Sequence, residues 1–590
     1  LGSDFYSLLE WGGNGDRIVY RDNHLRLFAI DVSSGSSTLI STDARREWGP
    51  QRREYPGSVS VDTSPDGRWL AYTQEQPNFN RDLMLYDFNA GRSYRVSDGL
   101  ANVRSPAFSP DGKYLYFAAS TNSGPAQVGL DMSSHERPQR SGIYVAVLAA
   151  GGDSPIKPKA GDEGEEDGKD EEDSDDNAST QIDLNGLSDR IVALPVAERN
   201  YSDLSVAHDG TLYYIRNVQF GASITPPGEN AQSENALMRF KFDDREEQKV
   251  LDGVTDASIA AKGKHIIVHL ADGSFQTAEI GEKLDAKRVD VSGMRMMVNP
   301  RNEWAQIFDE AWHKEQAFFY DPNMHGLDWQ AVYDRYRPLV DHVGRREDLN
   351  ALIVEMIGEL QVSHNWAGGG DIHREQGPSA SLLGADLELA NGRHRIARIY
   401  TSKPWNPFLD APLAEPGLGV SVGDYILAVD GRTLGQSDNI FEFLQGKFDQ
   451  QVTLRVSARA DGRDARNIVV EPTNTEFLIR LWAWVEDNRK AVDEATNGRV
   501  GYVYLPNTAA AGFTFFNRMF FAQVDKDAMI IDERSNGGGQ VANYITDVLS
   551  RTYLSGWKDR DGMVFNTPGG GMFGPKVMLI DQDAGSGGDF

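Results

Sequence analysis

Residues 528–539 read AMIIDERSNGGG, and residues 577–589 read VMLIDQDAGSGGD. Each stretch begins with four apolar residues, the length of a short buried strand, and then runs into a glycine-rich turn. Helical segments are expected around them at 477–488, 513–521 and 541–549, with a further strand at 500–505. This alternation predicts a mixed sheet covered by helices, with both glycine turns at strand ends.

The second turn contains Ser586 between glycines. A serine beside small residues at a strand end has an exposed hydroxyl, which suits a nucleophile. The first turn, Gly537 to Gly539, brings backbone N–H groups into the open, where they can stabilise an oxygen that becomes charged in acyl transfer. The alternative is that these glycines only turn the chain and that Ser586 is an ordinary loop residue.

A serine nucleophile also needs a base whose pKa lies near neutrality, and histidine supplies one. The candidate is His364, which follows Ser363 in the stretch ELQVSHNW at 359–366. It comes after a helical pattern and before a run of three glycines, so packing beneath the helix end can hold it rigid. The alternative is a surface or capping histidine.

Three parts of the chain together resemble the tricorn protease family, relatives of the C-terminal processing peptidases: 304–364, the loop at Asn536, and 584–589. The resemblance implies that Ser586 is the nucleophile, that His364 is the base and that Ser363 orients His364. Processing peptidases use a lysine base instead, so the Ser-His pair favours the tricorn branch.

The resemblance also implies an oxyanion hole made by the backbone N–H of Gly587 with that of Gly537 or Gly538. The family commonly has aspartate where Gly587 stands, and only the backbone N–H is required there. A glutamate linked to the base is expected beyond residue 590 and is therefore absent from this chain. A basic side-chain preference does not carry over, because the corresponding region, SGWKDR at 555–560, contains a lysine.

Composition excludes several classes of function. The formal net charge of −29 argues against nucleic acid as a partner, because phosphate binding needs clustered Lys and Arg. Cysteine is absent, which excludes disulfides and thiolate catalysis, and no apolar run approaches the ~18 residues that span a bilayer. His364, Asp371 and His373 are near one another, but their spacing fits no zinc pattern, so no metal or other cofactor is expected.

Residues 1–295 show short strands that alternate with turn signals, typical of an all-β repeat. The clearest copies, SPDGRWLAY at 64–72 and SPDGKYLYF at 109–117, are 45 residues apart, the period of a propeller blade. Weaker copies lie at 15–20, 208–214 and 262–268. About five or six blades of a β-propeller are predicted, and the resemblance implies one or two more before Leu1. An immunoglobulin-like sandwich array is the alternative.

An acidic run interrupts this repeat. Eleven of the fifteen residues from Asp162 to Asp176 are acidic, and one is lysine. Such a run repels itself and cannot bury a core, which predicts a disordered, solvated insertion between blades at about 152–180. An acidic binding element is the alternative.

Two smaller domains are predicted between the propeller and the C-terminal sheet. From 296 to 375 the apolar period becomes that of helices, which indicates a small α-helical domain carrying the Ser-His pair. From 376 to 475, strand-like runs and a short helix at 440–444 resemble the PDZ fold of bacterial proteases. Such modules bind an extended peptide at a sheet edge, with a closed spacer as the alternative. The expected peptide site lies near Leu382, Leu383, Gly384 and Ala385.

The predicted fold is multidomain: an all-β propeller, a small α-helical domain, a PDZ-like β domain, and an α/β crotonase-like catalytic domain at 476–590. The resemblance implies a serine peptidase that degrades short peptides or unfolded polypeptides as a homo-oligomer, in the cytoplasm or alternatively the periplasm. No nucleic-acid or membrane partner is expected. The rival is a non-catalytic peptide-binding scaffold, which would not require the serine, the histidine and the glycine loop together. A sugar-processing propeller lacks an identifiable pair of convergent carboxylates.

Overall fold

The computed structural model describes residues 4–12, 15–44, 59–78, 80–122, 140–157, 179–217, 235–260, 263–281, 283–373, 377, 379–400, 409, 411–539 and 541–589. The chain separates into two compact units, Leu1–Ile372 and His373–Phe590. The predicted acidic insertion at Asp162–Asp176 lies outside the described residues. Within the described ranges, no helix is both long and apolar enough to cross a membrane.

The first unit begins with five four-stranded antiparallel sheets, each formed by four strands that follow one another in the chain. This order is that of propeller blades, so the propeller is confirmed and the sandwich array is wrong. Blades before Leu1 stay a prediction. The strands are Tyr6–Gly12, Arg17–Asp22, Arg26–Asp31 and Ser37–Thr42; Val61–Thr63, Trp69–Glu75, Arg81–Asp87 and Arg92–Arg95; Asn102–Phe108, Tyr114–Ser120, Gly142–Val147 and Ile191–Ala193; Asn200–Val206, Leu212–Asn217, Ala236–Lys241 and Glu246–Asp252; Val254–Ala260, His265–Leu270, Phe275–Glu279 and Lys287–Arg288.

The SPDG copies form the turn before the second strand of a sheet. The Ser64 hydroxyl donates to the Asp66 carboxylate at 2.6 Å and accepts the Trp69 N–H at 2.9 Å, while Gly67 takes a φ of +69°. The copy at 109–112 repeats these bonds. Each turn leads into a strand whose side chains are almost all buried. The SPDG turn therefore marks the second strand of the blade in which it occurs.

Apolar side chains fill the spaces between neighbouring sheets. One cluster joins the second and third sheets through residues such as Leu83 and Phe117, and another joins the third and fourth through Tyr116 and Tyr214. Each fully buried side chain of this size contributes roughly 1.5–3 kcal/mol to folding. The propeller is therefore held by sheet-to-sheet packing.

Three helices complete the first unit: Pro300–Phe318, Trp329–Tyr336 and Arg346–Gly358. Asn299 caps the first by accepting the Arg301 N–H at 3.1 Å. The first two helices are joined by a reciprocal pair of buried bonds, in which the Trp312 indole N–H donates to the Trp329 carbonyl at 2.8 Å and the Trp329 indole N–H donates to the Trp312 carbonyl at 3.1 Å. The apolar residues whose spacing predicted helices thus form the core of this region.

Replacing Trp329 with phenylalanine should destabilise the helical region by about 2 kcal/mol, because the buried Trp312 carbonyl loses its donor and a smaller ring leaves space. The midpoint of urea unfolding measures the change. The matched control is Trp366→Phe, since Trp366 is 75 % exposed and should shift the midpoint little. Equal shifts for the two variants would contradict this account of the indole pair.

The second unit begins with a six-stranded antiparallel sheet of the PDZ-like region. Its helix, Ile440–Leu444, has the predicted bounds. The strand Arg466–Val470 was not predicted, because only its second half is apolar. The strands are Ala385–Ala390, Arg393–Ile399, Tyr425–Val429, Arg432–Thr433, Val452–Ser457 and Arg466–Val470.

The C-terminal part of this unit is a sheet with helices, as predicted. Its three described strands are all parallel, although a mixed sheet was expected, and the strand Lys576–Leu579, expected to be buried, is largely exposed. The strands run in the order Val500–Tyr504, Ala528–Asp532 and Lys576–Leu579. The helices are Phe477–Thr496, Ala510–Phe520 and Ala542–Leu549, and an exposed hairpin pairs Ser555–Lys558 with Val564–Thr567. Parallel strands end at one edge of a sheet, and ligand sites of α/β proteins form at that edge.

Candidate active site

Three loops meet at the carboxyl edge of the parallel sheet. They follow Tyr504, Asp532 and Leu579, the last residues of the three strands. The second loop contains the glycine run and the third contains Ser586. The fold therefore brings the two quoted stretches of sequence together within the second unit.

Ser586 has the geometry of a nucleophile on a sharp turn. Its φ is +57°, in the left-handed region that residues other than glycine rarely adopt, and its side chain is exposed. Gly585 before it is extended, and Ser586–Gly588 forms a short 3-10 turn. Strained turns of this kind are found where a serine hydroxyl is presented to substrate.

The glycine loop lies directly against this turn. A Cβ built on Gly538 would lie 2.5 Å from the Ser586 Cβ, and one built on Gly587 would lie 2.2 Å from the Gly539 carbonyl oxygen. Neither position has room for a side chain. The arrangement therefore supplies a packing reason for glycine at 587, where the family commonly has aspartate.

The predicted oxyanion donors differ in the hydrogen bonds that their N–H groups make in this structure. The Gly537 N–H donates to the Pro506 carbonyl at 3.1 Å, and the Gly538 N–H donates to Asn536 Oδ1 at 2.8 Å. Each N–H would have to give up that bond to reach a substrate oxygen, and the oxyanion role of Gly537 and Gly538 stays a prediction. The Gly587 N–H, in contrast, donates to no residue that the structure describes.

Asn536 joins the two loops, and we call this set of contacts the Asn536 bridge. Its side-chain Oδ1 accepts the Gly538 N–H at 2.8 Å, and its backbone carbonyl accepts the Gly585 N–H at 3.1 Å. Its side chain also lies 2.9 Å from the Cβ position of Gly588. Asn536 is 0 % exposed, so the bridge supports the Ser586 turn from beneath.

A buried carboxyl lies under the Asn536 bridge. Glu533 is 5 % exposed, its carbonyl accepts the Asn536 N–H at 3.0 Å, and its carboxylate is 3.5 Å from the Asn536 amide nitrogen. Burial raises the pKa of Glu533 to about 7, because the charged form loses its water. The carboxyl therefore changes charge near neutral pH.

Glu533 should make the stability of this unit fall as pH rises. Its folded pKa of about 7 lies above the ordinary 4.5, so the stabilisation is complete below pH 4.5 and is lost as pH rises through about 7. The Glu533→Gln variant should lack this decline and should gain roughly 3 kcal/mol over the natural protein between pH 5 and pH 8. Urea unfolding at the two pH values measures the difference.

The matched control for that prediction is Glu494→Gln, the same change at an exposed position of the same unit. Because that side chain is exposed, the change should alter the free energy of unfolding little at either pH. If the difference in unfolding free energy between Glu533→Gln and the natural protein were the same at both pH values, Glu533 would be ionised throughout this range.

The candidate base lies in the first unit. The Ser363 hydroxyl is 3.2 Å from His364 Nδ1, and both side chains are exposed. His364 also has a positive φ, +61°, and its ring centroid lies 6.3 Å from that of Trp366. The hydroxyl thus contacts the ring nitrogen that an orienting residue is expected to hold.

Packing holds the loop that carries His364. Leu360 is buried in the helical core, and Val362 and Ala367 pack against that core on either side of the histidine. Asn350, on the preceding helix, donates to the Gly369 carbonyl at 2.9 Å. The loop is therefore attached at both ends, as expected for a rigidly held base.

The predicted peptide edge at 382–385 already has partners. Leu382 exchanges two backbone bonds with Thr473, at 2.8 and 3.0 Å, and the Gly384 N–H donates to Glu476 at 2.7 Å. The Leu383 and Gly384 carbonyls also accept backbone N–H groups. Most backbone groups expected to be free for a peptide are thus bonded within the chain, and Leu383 and Ala385 are buried. Peptide binding here stays a prediction.

Sequence reasoning missed three residues of the site. Glu533 and Asn536 were part of the quoted motif, but nothing in the local pattern assigns them a role. Thr508 had no signal, yet its backbone bonds Gly538 and Val541 at 3.0 and 2.7 Å, and its hydroxyl lies 2.4 Å from the Cβ position of Gly587. In the described part of the chain, no group of three or more His, Cys, Asp or Glu side chains has a metal-binding arrangement.

Three family models match the chain. The tricorn protease second β-propeller domain matches residues 5–279, the tricorn protease C1 domain matches 300–358, and the tricorn protease PDZ domain matches 381–475. The matches follow the order of the propeller, the helices and the PDZ-like sheet.

Relatives and a solved structure agree with these models. Tricorn protease homolog 1 of Streptomyces coelicolor is 32 % identical over 596 residues, and the tricorn protease of Thermoplasma volcanium is 27 % identical over 588 residues. Each alignment covers 98 % of this chain and 54 % of the relative, so the chain spans about half the length of these curated relatives. A crystal structure of the tricorn protease has the same fold, with a TM-score of 0.82 at 22 % identity, over 100 % of this chain and 55 % of that one.

Proposed function

Because this chain belongs to the tricorn protease family, we propose that it acts as a serine peptidase on short peptides or unfolded polypeptides. The observation that carries the proposal is the conformation of Ser586. An exposed serine with a φ of +57°, packed against a glycine loop at the carboxyl edge of a parallel sheet, is typical of an acyl-transfer nucleophile.

In the proposed reaction, the Ser586 hydroxyl oxygen attacks the carbonyl carbon of the scissile bond, and His364 takes the hydroxyl proton. Ser363 holds His364 Nδ1, at the observed 3.2 Å, so that Nε2 accepts the proton. The Gly587 N–H stabilises the oxyanion; one such donor typically contributes roughly 10²–10³ in rate.

The intermediate then collapses as His364 returns the proton to the leaving amine. The C–N bond breaks, and the acyl group stays on Ser586 as an ester. A water molecule gives a proton to His364 and attacks the ester carbonyl carbon. The ester C–O bond then breaks as His364 passes that proton to the Ser586 oxygen, which releases the carboxylic acid and restores the serine hydroxyl.

We assign the domains as predicted: the propeller at 1–295, the helical domain at 296–375, the PDZ-like domain at 376–475 and the catalytic domain at 476–590. A propeller and a PDZ-like module in one chain with a peptidase domain would suit gated entry of peptides. We propose that the protein acts in this way as a homo-oligomer in the cytoplasm. Cleavage of an intact folded protein as fast as an octapeptide would contradict gated entry.

The test is covalent labelling with a fluorophosphonate probe, which reacts with activated serines and does not depend on peptide preference. The protein expressed from its gene should be labelled, and the Ser586→Ala variant should not. Ser550→Ala, which removes an exposed serine after the Ala542–Leu549 helix, is the matched control and should be labelled like the natural protein. Absence of label in the natural protein would favour the peptide-binding scaffold.

A further inference from the structure

A cleft of about 560 Å³ opens at the same edge of the parallel sheet. This volume is within the roughly 300–1,000 Å³ of ligand pockets in proteins. We call it the aromatic cleft, and its walls include Leu478, Leu481, Trp484, Tyr504, Phe515 and Arg534.

The aromatic cleft is continuous with the proposed catalytic loops. Pro506 and Ser535 line it, and the Pro506 carbonyl accepts the Gly537 N–H at 3.1 Å. Gly538, the next residue, packs against Ser586. Because consecutive Cα atoms are about 3.8 Å apart, the cleft begins within about 12 Å of the nucleophile, the reach of three or four extended residues.

The charged groups of the cleft are already neutralised or hydrogen-bonded. Arg534 donates twice to buried Asp532, at 2.9 and 2.6 Å, and its guanidinium lies 5.1 Å from the Trp484 ring. Asp581 accepts the N–H groups of Ser535 and Ala584 at 2.8 and 3.2 Å. Asp532 neutralises Arg534, whereas Asp581 keeps its negative charge, so the cleft offers mainly apolar and aromatic surface and does not favour an acidic ligand.

Part of this apolar surface is exposed to water. Leu478 is 44 % exposed and Trp484 is 38 % exposed, beside Phe477 at 68 %. Contiguous exposed apolar surface in a concave site is typical of a binding site. A large apolar side chain would gain roughly 1.5–3 kcal/mol by complete burial there.

We propose that the aromatic cleft binds a large apolar side chain of the peptide substrate, such as phenylalanine or leucine, within about four residues of the scissile bond. This inference rests on the proposed peptidase function and names its substrate preference. It follows from the position of the cleft, from the neutralisation of Arg534 by Asp532 and from the exposed aromatic wall.

The test uses octapeptides that are identical except for one position, occupied by phenylalanine, serine or aspartate and moved along the peptide. At one position within four residues of the cut, kcat/KM should be at least about tenfold higher for phenylalanine than for serine. The Trp484→Ala variant should lose most of this ratio. Trp11→Ala, at a 56 % exposed tryptophan of the first unit, is the control and should keep the ratio.

Binding gives a second readout that does not need catalysis. The Ser586→Ala variant should bind the phenylalanine peptide about tenfold more tightly than the serine peptide, and adding Trp484→Ala should remove the difference. If the peptides were cut equally well whichever residue was present, the cleft proposal would be overturned and the proposed peptidase function would stand. A Trp484→Ala change that alters only the oligomeric state would assign the cleft to a second copy of the chain. If the natural protein showed no labelling and no cleavage, the proposed peptidase function would be overturned, and this proposal with it.

Discussion

Replacing Ser586 with alanine should reduce peptide hydrolysis by at least about 10⁴-fold, because no other group supplies the nucleophile. His364→Ala should cause a loss of similar size, since the serine hydroxyl is then not deprotonated. The measurement is kcat on a mixed fluorogenic peptide set, using the protein expressed from its gene.

The two losses should not add in the double variant, because the residues act in one step. Thermal unfolding should be unchanged in both single variants, since both side chains are exposed. Hydrolysis that continues at the natural rate in either single variant would remove that residue from the mechanism.

Replacing Asn536 with alanine should slow hydrolysis by about 10²-fold, although Asn536 touches no substrate in the proposed reaction. Alanine removes the Oδ1 that accepts the Gly538 N–H and the side chain packed beneath Gly588, while the backbone bond to Gly585 remains. The glycine loop against Ser586 can then shift, and a displacement near 1 Å can cost a factor of this size. The same change should destabilise the second unit by roughly 1–3 kcal/mol, because the buried Gly538 N–H loses its acceptor.

A positioning role differs from a purely structural one in what the kinetics show. Asn536→Ala should lower kcat and the rate of fluorophosphonate labelling while leaving KM nearly unchanged. The control is Asn517→Ala, which removes an amide bonded to the Tyr544 hydroxyl at 2.7 Å in the same unit. That variant should lose stability and keep its labelling rate. Equal labelling rates for the two variants would contradict the role of the Asn536 bridge.

Much of the fold follows from local signals. The SPDG turns predicted the second strands of blades because serine, aspartate and glycine close the turn through bonds among neighbours in sequence. The strand from Ala528 and the helix Ile440–Leu444 were predicted for the same reason: each has a compact apolar pattern between clear turn residues. The boundaries of such elements can therefore be predicted from the local sequence.

The rest depends on contacts between distant parts of the chain. The sequence offered Gly537 and Gly538 as oxyanion donors, but their N–H groups bond Pro506 and Asn536. The acceptor for Gly537 comes from another loop, and the choice of acceptor for Gly538 depends on how Asn536 is buried. The backbone partners of Leu382 and Gly384 likewise come from the end of the PDZ-like region, about ninety residues later. No local pattern contains this information.

The close approach of Gly587 to Gly539 also limits how this site can change in evolution. A larger residue at 587 is compatible with the fold only after the glycine loop has shifted, since its Cβ would otherwise lie 2.2 Å from a carbonyl oxygen. A change in the loop alone would leave the Ser586 turn without its support. Substitutions in the two loops should therefore be tolerated as pairs and rejected singly. This chain and a relative with a larger residue after the serine should then be unable to exchange one loop without the other.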